Sequence, residues 1–127
     1  MFKQTIAALI LSTVGVSAAE YTKTTLEDYA FDFTSIGYEI EVSGKTSIFS
    51  TSADQWIWLR DTGRKVKVNF STLSRNGRKQ VIDHMNSSCK GFGVTCPVTV
   101  KGEVEFDEDM QMQIKAFEMS LSSKAID

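Results

Sequence analysis

The stretch Gln55–Phe70, QWIWLRDTGRKVKVNF, constrains the fold more than any other part of the chain. Ile57 and Leu59 alternate with Trp56, Trp58 and Arg60; Val66, Val68 and Phe70 alternate with Lys65, Lys67 and Asn69. Alternation with period two marks strands buried on one side only. With Thr62-Gly63 as a two-residue turn, Leu59 falls opposite Val66 and Ile57 opposite Val68. Trp58 then faces Lys67, Arg60 faces Lys65, and Trp56 faces Asn69. A slip of one residue would turn the lysines into the core, so the pattern specifies this register. The hairpin needs a core to cover its aliphatic face. Its other face carries both tryptophans of the chain among basic side chains.

Other segments supply partners for that hairpin. In YEIEVSG, Tyr38, Ile40 and Val42 alternate with Glu39 and Glu41, and Gly44 suits a bend before a second half-strand, TSIFS. After the hairpin the period changes. Leu73, Gly77, Val81 and Met85 recur every fourth residue, with Ser71 or Ser74 as cap, predicting a helix that ends near Asn86. Gly77 inside it costs ~1 kcal/mol against Ala, which predicts an irregular first turn. CPVTVKGEVEFD reads as the fourth strand, with Val98, Val100, Val104 and Phe106 toward the core and a change of facing at Gly102. EDMQ is a turn, and MQIKAFEMSL is the last strand.

Three strands, a helix and two strands, with a bent first strand and a tight hairpin, are the plan of an OB-fold. Residues 38–122 resemble such a domain. WIWLRDTGRKVKV is similar to the F-I-x-L-R-D-x-x-G-x-I-x-V strand pair of nucleic-acid-binding OB domains, including the anticodon-binding domains of aminoacyl-tRNA synthetases. VTVKGEV is similar to their fourth strand. Together with the N-terminal segment described next, the chain resembles the small exported OB-fold proteins of Gram-negative bacteria. The resemblance implies an all-β fold with one helix: a five-stranded Greek-key barrel, the helix between strands 3 and 4. It also implies a ligand face on strands 2 and 3. It names no ligand, because OB barrels bind oligonucleotides, oligosaccharides and proteins alike.

The first residues, MFKQTIAALILSTVGVSAAE, read as a secretory signal: Lys3, an apolar run over Thr5–Val16, then small residues for cleavage after Ala18 or Ala19. The run is too short to span a bilayer of ~30 Å. The expected organisation is a signal peptide at 1–19, an aromatic and acidic extension at 20–37, the barrel at 38–122 and a tail at 123–127. The expected location is the periplasm or the medium, without membrane insertion. Cys89 and Cys96 both survive cleavage, and an exported chain oxidises such a pair. A structural disulfide is therefore expected ahead of a redox pair or a zinc site, since His84 is the single histidine.

Charge is segregated along the chain. Glu20–Asp54 holds seven acids against two basic residues, Gln55–Lys101 nine basic residues against two acids, and Gly102–Asp127 seven acids against two basic residues. Such a distribution can steer an anionic partner to the middle third.

Catalytic signatures are missing from the sequence: it has no Gly-rich phosphate loop, no GxSxG and no HExxH. His84 reads as a surface histidine beside Asp83. The run Glu103, Glu105, Asp107, Glu108, Asp109 reads as a solvated strand edge rather than a calcium loop, which would carry Gly at its sharp turn. A binding protein without enzyme activity, cofactor or metal is the expectation. The candidate ligand residues are Trp56, Trp58, Arg60, Lys65, Lys67 and Asn69. Flat rings ringed by cations suit a polyanion such as single-stranded nucleic acid, and the same rings suit a glycan. A partner protein is the alternative, since Trp and Arg are frequent interface anchors. Against all three stands internal cover: Tyr29, Phe31 and Phe33, with Glu27, Asp28 and Asp32, complement the hairpin face. The oligomeric state is left open.

Overall fold

The computed structural model describes residues 20–46, 49–50, 55–89, 95–121 and 124–127. Residues 1–19, expected from the sequence to be a signal peptide, lie outside them. The elements in order are β1 (Thr22–Lys23), α1 (Leu26–Ile36), β2 (Glu39–Thr46), β3 (Phe49–Ser50) and β4 (Trp56–Asp61), then β5 (Arg64–Asn69), α2 (Arg75–Ser88), β6 (Cys96–Phe106), β7 (Met112–Leu121) and β8 (Lys124–Ile126). Strands β2, β4, β5, β7 and β6 close a five-stranded barrel, with β5 and β7 parallel and the remaining barrel pairs antiparallel. Short β1, β3 and β8 extend the edges of β2, β4 and β7.

The barrel closes where β2 changes partners. Along most of its length β2 pairs with β6, and at Lys45 it also meets Arg60 of β4. Gly44 makes this crossing feasible: a Cβ there would lie 2.2 Å from the Arg60 carbonyl oxygen.

The hairpin forms in the expected register. Trp56 faces Asn69, Ile57 faces Val68, Trp58 faces Lys67, Leu59 faces Val66 and Arg60 faces Lys65. Thr62 and Gly63 both take positive φ, 49° and 80°, which matches the right-handed twist of the two strands. Ile57, Leu59 and Val68 are fully enclosed, and Val66 nearly so.

Helix α2 starts from Ser74, whose Oγ accepts the Gly77 amide, and buries Gly77, Val81 and Met85 against the barrel. It runs two residues past the expected end, to Ser88. Cys89 and Cys96 are joined in a disulfide, with Cα atoms 5.6 Å apart, that ties the helix end to the start of β6.

Four expectations are corrected. First, the described residues contain two helices rather than one. Thr25 caps α1 by accepting the Asp28 amide, and Glu27 and Asp28 sit favourably at its positive end. Only Leu26 and Tyr29 of α1 are buried, so the amphipathic signal in the sequence is faint. Second, Phe106 is 46 % exposed, because it lies at the rim where β6 leaves the barrel. Third, the change of facing occurs on β7, not at Gly102. Phe117 is an extra residue opposite the Lys101–Gly102 step, so β7 buries Ile114 and Ala116 before the bulge and Met119 and Leu121 after it. Fourth, segment 124–126 pairs with β7 and buries Ile126, so the C-terminal segment takes part in the core.

Candidate functional site

The outer face of the β4–β5 hairpin carries the aromatic and basic residues because the inner positions of both strands are consumed by the core. Trp56 and Trp58, two residues apart on β4, turn to the same side and meet edge to face, with ring centroids 5.8 Å apart at 73°. Both are half-buried. Each ring has a lysine over it from the neighbouring strand. Lys65 Nζ lies 4.7 Å from the Trp58 centroid, and Lys67 Nζ lies 5.2 Å from that of Trp56. Lys67 is directly opposite Trp58 in register but reaches diagonally to Trp56, a distance well within a long side chain's range. Each contact contributes ~0.5–1 kcal/mol at exposed sites. Arg60, opposite Lys65, is exposed and makes no ion pair among the described residues.

The N-terminal extension packs elsewhere. The Leu26 amide donates to Asp61 Oδ2 at 3.0 Å, and the Tyr29 hydroxyl donates to the Gly37 carbonyl at 2.8 Å. Burial raises the Tyr29 phenol above its ordinary range, with Tyr38 adding to the effect. Leu26 and Ala30 share a cleft with Arg64, Lys65 and Val66, so α1 sits against the turn end of the hairpin. The Tyr29 and Phe33 rings meet at a tilt of 43°, with centroids 6.3 Å apart, whereas Phe31 is 80 % exposed and Phe33 45 %. Among the described residues the ring partners of the two tryptophans are each other.

A cleft of about 420 Å³ opens beside the tryptophans. It gathers three of the six expected ligand residues, Trp56, Lys67 and Asn69; Trp58, Arg60 and Lys65 lie farther along the hairpin. Its opposite wall is the β6–β7 turn, with Asp107, Glu108 and Asp109, and Gln113 from β7. Asp107 Oδ1 accepts the amides of Asp109 and Gln111, which holds the turn in shape. Gln113 donates to Glu105 at 2.8 Å. Asn69 uses its side-chain oxygen to accept from the Ser71 amide and hydroxyl. The acidic wall went unforeseen as part of this site, because the parallel pairing of β5 with β7 that brings it there spans more than forty residues of sequence.

His84 is less open than expected. Its Nε2 is enclosed without a hydrogen-bond partner among the described residues, and it lies with the sulfurs of Cys89 and Cys96 within 4.8 Å of one another. The disulfide occupies both sulfurs, so neither is a thiolate able to ligate a metal.

No protein-family model matches this chain. No curated protein matches it. Solved structures do resemble it. The OBody AM1L10, solved bound to hen egg-white lysozyme, aligns with a TM-score of 0.51 at 18 % identity, over 69 % of this chain and 81 % of the OBody. A protein assigned as an aspartyl-tRNA synthetase from Leishmania major aligns with a TM-score of 0.57 at 15 % identity, over 91 % of this chain. The fold is of the OB type. At such identities the likeness concerns the fold alone, and the chain spans only 23 % of the synthetase.

Proposed function

We propose that this chain is an exported, non-enzymatic binding protein whose outer β4–β5 face holds an anionic or flat polymer. Of the two polymer classes, oligonucleotide or oligosaccharide, the geometry favours a single-stranded oligonucleotide. The observation that carries this is the pair of lysines held over the pair of tryptophans. A base stacking on Trp58 or Trp56 would gain ~1–3 kcal/mol while its phosphate meets an ammonium already in place. The acidic β6–β7 turn restricts the polymer to one side of the face, since its carboxylates repel phosphates and accept instead from base amino groups. Export is supported by the N-terminal pattern and by the Cys89–Cys96 bond, which suits an oxidising compartment. Among the described residues no helix is long and apolar enough to cross a membrane.

Quenching of tryptophan fluorescence by oligo(dT) at stepped ionic strength tests the reading. Affinity should fall with salt by about 0.7 log units per log unit for each phosphate neutralised. Trp58→Ala should weaken binding roughly tenfold or more while the fold survives. Binding of a neutral glycan with no binding of oligo(dT) would transfer the site to the oligosaccharide class. Indifference of binding to Trp58→Ala would refute the site altogether.

A second reading, docking of a partner protein, is favoured by Phe31 and Phe33, which stand exposed on α1 among Glu27, Asp28 and Asp32. An interface built on those rings would be far less sensitive to salt than one built on phosphates.

A further inference from the structure

We propose that the cleft between the start of β4 and α2 is an oxyanion subsite that takes a backbone phosphate of the strand held on the hairpin. This inference rests on the oligonucleotide reading and extends it. The cleft measures about 330 Å³ and is lined by Gln55, Arg75, Arg78, Lys79 and Ile82.

Arg75, Arg78 and Lys79 are three and four residues apart on α2, so their side chains share one face of the helix. Among the described residues no carboxylate lines the cleft. Asp83, one turn beyond Lys79, makes no ion pair with it; the ion pairs among the described residues are Lys101–Glu118 and Lys115–Glu103, both elsewhere. Three neighbouring cations that make no ion pair among the described residues repel one another, and that repulsion is relieved when an anion enters.

Two residues that line the cleft each carry an enclosed polar atom with no hydrogen-bond partner among the described residues: Arg78 Nε and Gln55 Oε1. A guanidinium offers Nε–H and Nη–H as a planar fork that matches two oxygens of one phosphate. The Gln55 carboxamide can turn its NH₂ to the same anion by rotating half a turn.

The position of the cleft ties it to the tryptophans. Gln55 immediately precedes Trp56, and its carbonyl accepts the Phe70 amide at 3.0 Å, which pins it at the end of the hairpin. Arg60 and Lys65 mark the opposite end. Five residues of strand separate Arg60 from Gln55, about 17 Å at ~3.4 Å per residue. A single strand of about three to five nucleotides at ~3.4 Å or more per nucleotide would therefore run from cation to cation across the ring pair.

The test uses the full chain and two probes, (dT)6 and inorganic phosphate. Arg78→Ala/Lys79→Ala should weaken (dT)6 binding about tenfold at low salt. It should also flatten the salt dependence by about 0.7 log units per log unit for the phosphate given up. Arg75→Gln/Lys79→Gln, which changes only exposed side chains, gives the same direction of effect should the first variant fold poorly. Inorganic phosphate should shift the NMR signal of the Arg78 Nε–H saturably in the wild type. Unchanged (dT)6 affinity and salt slope in both variants would overturn the subsite, and the hairpin reading would survive on its Trp58 dependence. A saturable phosphate signal without (dT)6 binding would uphold the subsite for a free anion and defeat the hairpin reading. An Arg78 signal blind to phosphate at every concentration would overturn the subsite for the free ion and the polymer alike.

Discussion

Replacing Gly77 with alanine should destabilise the protein, although helix propensity taken alone says the opposite. Gly77 is the third residue of α2, and Ala in place of Gly inside a helix contributes ~1 kcal/mol. A Cβ on Gly77, however, would lie 2.3 Å from the Asp127 carbonyl oxygen. An ordinary contact needs at least 3.4 Å, so the C-terminal segment must retreat by about an ångström. That oxygen also accepts from the Ser74 hydroxyl at 2.7 Å and from the Ser74 amide at 3.4 Å. Weakening these bonds costs about 1 kcal/mol each. Loosening Ile126, which is 4 % exposed, costs about another 1 kcal/mol. Against the propensity gain, the net loss is about 1–3 kcal/mol, or roughly 5–15 °C in Tm for a domain of this size. Thermal and urea unfolding followed by circular dichroism measures it. Asn76→Ala, on the exposed side of the same turn, is the control and should be neutral or slightly stabilising. A Tm for Gly77→Ala at or above the wild type would refute the argument from close approach.

The hairpin faces are checked by neighbours: Lys67→Ile should keep the fold, whereas Val68→Lys, which buries an unpaired charge, should unfold it, and equal melting temperatures would mean the faces are reversed. Intact mass of protein from an oxidising compartment should rise by two hydrogens on reduction, and Cys89→Ser/Cys96→Ser should cost roughly 2–3 kcal/mol in chemical unfolding. Removing residues 20–37 should lower the melting temperature through loss of buried Leu26 and Tyr29 while the tryptophan emission of the folded fraction stays where it was; a red shift would show that the extension covers the rings after all.

Much of the fold was legible because it is written in short-range patterns. Alternation from Trp56 to Phe70, with Thr62-Gly63 between, determines both the hairpin and its register, since a period of two admits only one pairing that keeps five aliphatic and aromatic side chains inside. The spacing Gly77–Val81–Met85 likewise determines the buried face of α2, and the seven-residue separation of the cysteines is short enough to be read as a bond. The extension was harder. Its two buried residues leave nine exposed or half-exposed positions in α1, so no local pattern announces where it docks.

The candidate site divides the same way. That Trp56, Trp58, Lys65 and Lys67 share a face followed from parity along two strands, which is a local property. Which lysine covers which ring did not, because a lysine's reach is decided by side-chain packing rather than by register. Nor did the acidic wall at Asp107–Asp109 or the cationic cleft at Arg75, Arg78 and Lys79. These depend on β5 pairing with β7 and on where α2 lies against the start of β4, contacts between segments distant in sequence. The sign of the Gly77→Ala effect belongs with them. Backbone propensity is a property of one residue, but the oxygen that forbids a methyl group there arrives from fifty residues away.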